Sequence, residues 1–254
     1  MRHRIESRSN PRIKDLVRNR DSYLFFEGEK LVLDILQKKM NVKILIVHKE
    51  KEGELEIPGK TVKETWLVND TVLKKLSSLK EKPGLIAVLE PGNKTVDFRK
   101  AKAVIGLDEV QDPANAGTVF RCAAAFGIDA VVFSGASVKP TNTKFLRAAQ
   151  DAFFHVPFQH FDSLESLLEK AKKANLHIYL TSSHESPNTL KIEDLRFPCL
   201  ILLGNEGKGL PGELFLRYPT LKIAQTNRVE SLNVGISACI IMHELNKHPQ
   251  GASL

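Results

Sequence analysis

No stretch of this 254-residue chain is both long and uncharged enough to cross a bilayer, and the early arginines Arg2, Arg4, Arg8 and Arg12 precede no apolar secretion-signal core. The expectation is a cytoplasmic protein without a membrane partner. Cysteine is scarce: Cys122, Cys199 and Cys239 stand far apart without CxxC spacing, each in an apolar run where a small buried hydrophobe serves. Neither a structural zinc nor a disulfide is expected. Close-spaced His, Cys and Asp sets are missing too, so no metal is expected. Internal repeats and low-complexity tracts are absent.

What is present is a globular composition, 42% hydrophobic and 26% charged, enough for one large core or two smaller ones. A net charge of +7 and a pI near 9.2 suit a polyanionic partner, because lysine and arginine bind phosphate by displacing condensed counterions. The distribution says more than the sum. Arg2, Arg4, Arg8, Arg12, Lys14, Arg18 and Arg20 face only Glu6 and Asp15 in the first twenty residues. A solvated surface helix accounts for this basic arm as well as contact with RNA does.

Beyond the arm, Tyr23–Glu27 reads as a strand, Gly28–Lys39 as a helix with Leu31, Val32, Ile35 and Leu36 on one face, and Val42–His48 as a strand. Trp66–Val68 is a further strand, Asn69 caps a helix through Leu76, and Gly84–Leu89 is an apolar run. Pro91, Gly92 and Asn93 punctuate the chain, giving a first domain over 1–90, a linker over 91–100 and a second domain over 101–248. In the second, expected strands Ala103–Leu107, Ala130–Phe133, His177–Thr181, Cys199–Leu203 and Leu221–Ala224 alternate with expected helices Asn115–Phe126, Thr143–Phe153, Ser163–Ala174 and Ser231–Leu245. Such alternation predicts an α/β fold with a mostly parallel sheet covered by helices.

Ligands of such sheets gather beyond the C-terminal strand ends, and three of these ends are unusual. After Leu107 come Asp112-Pro113-Ala114-Asn115-Ala116-Gly117 and then Arg121; Asn115 can cap the helix, and Gly117 allows a chain or ligand close to the backbone. After Leu203 comes Gly204-Asn205-Glu206-Gly207-Lys208-Gly209-Leu210, whose glycines expose backbone polar groups. Gly207, Gly209 and Gly212 spell GxGxxG, but Pro211 interrupts the fingerprint, and Gly209 stands where a P-loop needs Ser or Thr. The third end holds Glu230-Ser231-Leu232-Asn233-Val234 at the mouth of a helix, where backbone donors are free. Capping explains Ser231 or Asn233, but not both.

These three segments, in this order and spacing, closely resemble the motifs of the SpoU/TrmH family of RNA ribose 2'-O-methyltransferases within the SPOUT superfamily, over roughly Ala103 to Lys247. The N-terminal Ile5-Glu6-Ser7-Arg8-Ser9-Asn10-Pro11-Arg12-Ile13-Lys14 and Phe25-Phe26-Glu27-Gly28-Glu29-Lys30 resemble the same family's rRNA methylases. The resemblance implies a small ribosomal-protein-like α/β RNA-binding domain followed by a parallel sheet with a deep trefoil knot, acting as a homodimer. It implies S-adenosyl-L-methionine as methyl donor, held largely by backbone at Gly204, Ile223 and Leu232, with Thr181 added. Arg121 takes the catalytic arginine's place, with Asn115, Glu206, Ser231 and Asn233 around it, and Arg8, Arg12, Lys14 and Arg147 are candidate RNA contacts.

A guanidinium is a poor base, so Arg121 either acts as one in an exceptional setting or anchors a phosphate and orients the hydroxyl. The implied substrate is rRNA before tRNA, and an inactive RNA-binding relative is the alternative. Departures from the family pattern fall at Ile223-Ala224-Gln225, near Asn227-Arg228, and at Ala149 and Asp151 within Arg147–Ala152. His155, His160 and His243 read as packing or surface groups, and Phe153 and Phe154 as core.

Overall fold

A computed structural model describes residues 1–54, 61–92, 95–182, 189–226 and 228–248. The chain divides into two compact units, one of Met1–Asn93 with Pro140–Arg147, the other of Lys94–Lys139 with Ala148–Leu254.

In the first unit, strand β1 (Arg2–Ile5), helix α1 (Pro11–Arg18), β2 (Leu24–Glu27), α2 (Glu29–Gln37), β3 (Val42–His48), β4 (Val62–Val68), α3 (Asp70–Leu76) and β5 (Leu85–Leu89) come in that order. The sheet order is β1-β4-β3-β5-β2, with β1, β4 and β3 parallel and β5 antiparallel to both β3 and β2. Ile13, Leu16, Phe25, Ile46, Trp66 and Leu76 form part of its core. The caps are legible in the sequence. Asn10 accepts from the Arg12 backbone N–H at 2.9 Å with Pro11 at the helix start, and Asn69 accepts from Val72 N–H at 3.1 Å. The basic arm is neither wholly helical nor loose: Arg2–Ile5 is a strand paired with Thr65–Val68, and the Trp66 strand is accordingly longer than the expected Trp66–Val68.

The chain continues through β6 (Ala103–Asp108), α4 (Pro113–Ala125), β7 (Ala130–Ser134), α5 (Thr143–Ala149), α6 (Ala152–His155), β8 (Phe158–Phe161), α7 (Leu164–Lys173), β9 (His177–Thr181), β10 (Thr189–Leu190), β11 (Cys199–Leu203), β12 (Thr220–Leu221) and α8 (Val234–Lys247). The seven-stranded sheet runs β10-β12-β9-β11-β6-β7-β8, and every neighbouring pair is parallel. β6, β7 and β11 are buried along their whole length, as unbroken apolar runs covered on both faces require. The chain builds outward from β6 through β7 and β8, then returns to β9 and inserts β11 between β9 and β6. That reversal places the ends of β6 and β11 side by side, the position where open parallel sheets form a crevice.

Several expectations are corrected. The expected strand Leu221–Ala224 is only Thr220–Leu221, and residues 222–226 are irregular. The expected helix Thr143–Phe153 breaks at Gln150, which takes φ 53°, into α5 and α6, and strand β8 has no counterpart in the expected pattern. Helix α8 starts at Val234, not Ser231. The departure from the family pattern at Asn227 lies outside the described residues.

Helices α4 and α8 lie side by side and run in the same direction. A Cβ on Gly235 would sit 3.4 Å from the Asn115 carbonyl, Cys122 and Cys239 meet halfway along, and Asn246 donates to the Phe126 carbonyl at 3.1 Å at the far end. Cys122 and Cys239, 117 residues apart in sequence, are paired as a disulfide with Cα atoms 5.6 Å apart. This overturns the expectation of unpaired cysteines, which sequence spacing could not reveal because tertiary packing of two helices creates the pair. Cys199 in β11 does behave as a buried hydrophobe, burial pushing its thiol up to about 12.

Candidate active site at the strand ends

Asp112, not Asn115, caps α4: its carboxylate accepts from Ala114 N–H at 2.8 Å, with Pro113 at the first helical position. Asn115 is thereby released to sit inside the first turn, buried, with both ends of its amide engaged. Its Nδ2 donates to Glu206 Oε1 at 2.9 Å, and its Oδ1 accepts from Asn233 Nδ2 at 2.9 Å. Asn233 in turn caps α8, its Oδ1 accepting from Gly235 N–H at 2.9 Å and Ile236 N–H at 3.2 Å. One polar chain therefore runs from the backbone of α8 through Asn233 and Asn115 to Glu206, joining all three strand-end motifs.

Glu206 also accepts from the backbone N–H groups of Asp112 at 3.3 Å and Gln111 at 3.5 Å. Partial burial alone would raise its pKa, but the Asn115 amide and the surrounding backbone N–H groups outweigh it and hold the carboxyl below the usual glutamate value. The group is a carboxylate at neutral pH.

Beside this chain opens a cavity of about 480 Å³. Thr181, Gly204, Ile223 and Leu232, the four residues expected to hold a cofactor, all line it, as do Glu206, Ser231 and Asn233. Thr181 Oγ1 donates to the Leu202 carbonyl at 3.0 Å, so its hydroxyl proton is already engaged within the protein. Gly204 is required by close approach: a Cβ there would lie 2.5 Å from Leu210 N and hard against Gly209. One wall of the cavity is the 204–210 turn, packed tightly on itself at Gly204. Ser231 stands in the irregular segment before α8, exposed, and is not a cap.

Arg121 does not line this cavity. It lies six positions beyond Asn115, about 9 Å along the axis at 1.5 Å per residue, exposed in a groove with Thr118, Ala125, Phe126, Ile240 and His243. The expected position near the helix start is corrected by that helical arithmetic. Gly117 admits no ligand; it faces the chain's own Ala148 and Ala149, whose backbone would lie 2.8 and 2.9 Å from an added Cβ. Arg8, Arg12, Lys14 and Arg147 all belong to the first unit and are exposed, with Arg12 paired to Glu64 at 3.0 Å. The GxGxxG spelling leads into a 3-10 turn at Gly212–Leu216, not the long helix a dinucleotide site needs. Among the described residues no group of three or more His, Cys, Asp or Glu is placed to hold a metal, and no helix is long and apolar enough to cross a membrane. Sequence reasoning passed over Asn205, whose side chain bonds to two separate segments beside the cavity, and Asp112, whose Asp-Pro signal for a helix start was there to be read.

Three similarities bear on this geometry. The chain is 30% identical over 252 residues to the 23S rRNA (guanosine(2553)-2'-O)-methyltransferase RlmP of Bacillus subtilis, covering 95% of this chain and 98% of that one. It is 32% identical over 196 residues to an uncharacterised tRNA/rRNA methyltransferase of Synechocystis, covering 74% of this chain and 69% of the other. The fold is shared with an AdoMet-bound rRNA methyltransferase from Sinorhizobium meliloti, at a TM-score of 0.82 and 23% identity over 98% of both chains. The SpoU rRNA methylase family model matches residues 102–243, the span that holds all three motifs and the cavity, and the chain belongs to that family.

Proposed function

We propose that this protein transfers the methyl group of S-adenosyl-L-methionine to a ribose 2'-hydroxyl of rRNA. The observation that carries the reading is the meeting of the three motifs: a cavity walled in part by the 204–210 turn adjoins the hydrogen-bonded chain Asn233–Asn115–Glu206. Family membership and the near-full-length similarity to a 23S rRNA 2'-O-methyltransferase support it.

When bound, S-adenosyl-L-methionine supplies an electrophilic sulfonium methyl group. Gly204, Ile223, Leu232 and Thr181 line the cavity proposed to hold it. Ser231 and Asn233 stand at the rim, where a ribose is proposed to enter. Glu206 keeps a negative charge there and fixes Asn115, which fixes Asn233, so the acceptor side of the site is held before substrate arrives. Arg121 is assigned to phosphate anchoring and hydroxyl orientation, since the planar donor fork of a guanidinium matches phosphate.

Arg121 lies outside its own chain's cavity, in a groove whose neighbours Ala125, Phe126 and Ile240 are apolar, and Ile236 on the same helix pair is half exposed. A homodimer formed through this α4–α8 face is part of the proposal, with Arg121 serving at the joined sites. So is a deep trefoil knot, supported by the convergence of the 203–210, 221–225 and 230–234 segments on one cavity. The first unit is proposed as a ribosomal-protein-like RNA-binding domain with Arg8, Arg12, Lys14 and Arg147 as contacts, and the cytoplasm as the place of action.

The test is transfer of labelled methyl from S-adenosyl-L-methionine to unmodified rRNA and to tRNA, followed by nucleoside digestion. A 2'-O-methylnucleoside from rRNA is expected. Label in tRNA alone would move the substrate, label on a base would overturn the ribose assignment, and no donor binding in calorimetry would make the chain an inactive RNA-binding relative.

A further inference from the structure

Asn205 lies between the two segments that shape the site, and both polar atoms of its side chain are engaged. Its Nδ2 donates to the Glu109 carbonyl at 2.8 Å, while its Oδ1 accepts from Gly207 N–H at 2.9 Å and Lys208 N–H at 3.0 Å. Its own backbone carbonyl accepts from Gly209 N–H at 2.9 Å, closing the turn that walls the cavity. The partner carbonyl is unusual in its own right. Glu109 takes φ 52°, a left-handed conformation that side-chain-bearing residues rarely adopt, immediately after β6. Backbone held in such a region persists where surrounding contacts over-determine it, and such positions cluster at working sites. Next in sequence to Asn205, Glu206 reaches the same 109–115 segment, meeting Gln111, Asp112 and Asn115.

We propose that Asn205 is a positioning residue for methyl transfer, its side-chain amide tying the turn that walls the donor cavity to the Glu109 carbonyl and so delivering Glu206 to Asn115. The inference rests on the methyltransferase reading above. Its two halves separate chemically. The oxygen of the amide shapes the turn and therefore the donor cavity; the nitrogen sets the distance between that turn and the segment bearing Asn115. Asn205 lines the donor cavity, and the role proposed for it runs through Glu206 and the turn.

Asn205→Asp keeps the acceptor for Gly207 and Lys208 but replaces the donor to Glu109 with an oxygen facing a carbonyl. Asn205→Ala removes both. Donor affinity by calorimetry, kcat and KM for rRNA, and Tm should be measured for both and for the parent enzyme. The Asp variant should hold the donor within about threefold of the parent while kcat falls roughly 100-fold with rRNA KM little changed, the scale of a site misplaced by about an ångström. The Ala variant should in addition weaken donor binding by about tenfold or more. Parent-like kcat in the Asp variant, or losses in both that vanish when assayed well below their Tm, would overturn the inference alone. A parent enzyme inactive on rRNA would overturn the functional reading, and the inference with it.

Discussion

Asn233 donates its side-chain amide to the Oδ1 of Asn115 at 2.9 Å across 118 residues of sequence, while its own oxygen caps α8. One residue thus does two separable jobs. Asn233→Ser keeps a cap of comparable quality but cannot reach Asn115, so stability should stay within a few tenths of a kcal/mol while single-turnover methyl transfer falls about 100-fold. Asn233→Ala should lose the cap as well, costing about 1 kcal/mol in denaturant unfolding. Equal activity in the Ser variant would remove the bridge from the mechanism.

Glu206 makes the site sensitive to acid. Its folded pKa lies below the ordinary glutamate value of about 4.3, so its contribution to stability is fully present above that value and is lost as pH falls through the folded one. As pH falls below about 5 the parent should lose stability that Glu206→Gln does not, the difference between their unfolding curves isolating this carboxyl from the others. A constant difference across that window would show that the hydrogen bonds do not favour the charged form.

Gly117 sets two effects of opposite sign against each other. In an exposed helix interior Gly→Ala stabilises by about 1 kcal/mol, but here the new methyl meets the backbone of Ala148 and Ala149, and overpacking costs about 1–3 kcal/mol. Packing should win, and Gly117→Ala should lower Tm by a few degrees, read by calorimetry. A rise in Tm would mean that the 148–149 segment yields freely.

Arg121 separates binding from turnover. Since it does not line the donor cavity, Arg121→Ala should leave the calorimetric donor affinity unchanged while lowering kcat. Arg121→Lys should recover part of that loss if the role is phosphate anchoring; a wholly inactive Lys variant would favour a role only the guanidinium fork can fill.

Much of this architecture is visible in the sequence because the second unit's inner strands are continuous apolar runs ending in polar clusters, as at Leu107 and Leu203, and because Ser163 and Asn69 cap the helices they precede. What escapes is decided by pairing at a distance. β1 consists of Arg2-His3-Arg4-Ile5, with no apolar alternation to mark it, and is a strand because Thr65–Val68 offers it a partner. The break at Gln150 has neither glycine nor proline to announce it. The site is legible as three motifs, but not as one chain of hydrogen bonds: Asn115 looks like a cap until Asp112 is seen to hold that place, and Arg121 looks adjacent until helical rise carries it away.

The most direct measurement is a map of 2'-O-methyl positions across total RNA from cells with and without this protein. Loss of a single rRNA 2'-O-methyl group, restored by the parent protein but not by Asn233→Ser, is the predicted result. An unchanged rRNA ribose-methylation map would contradict the account.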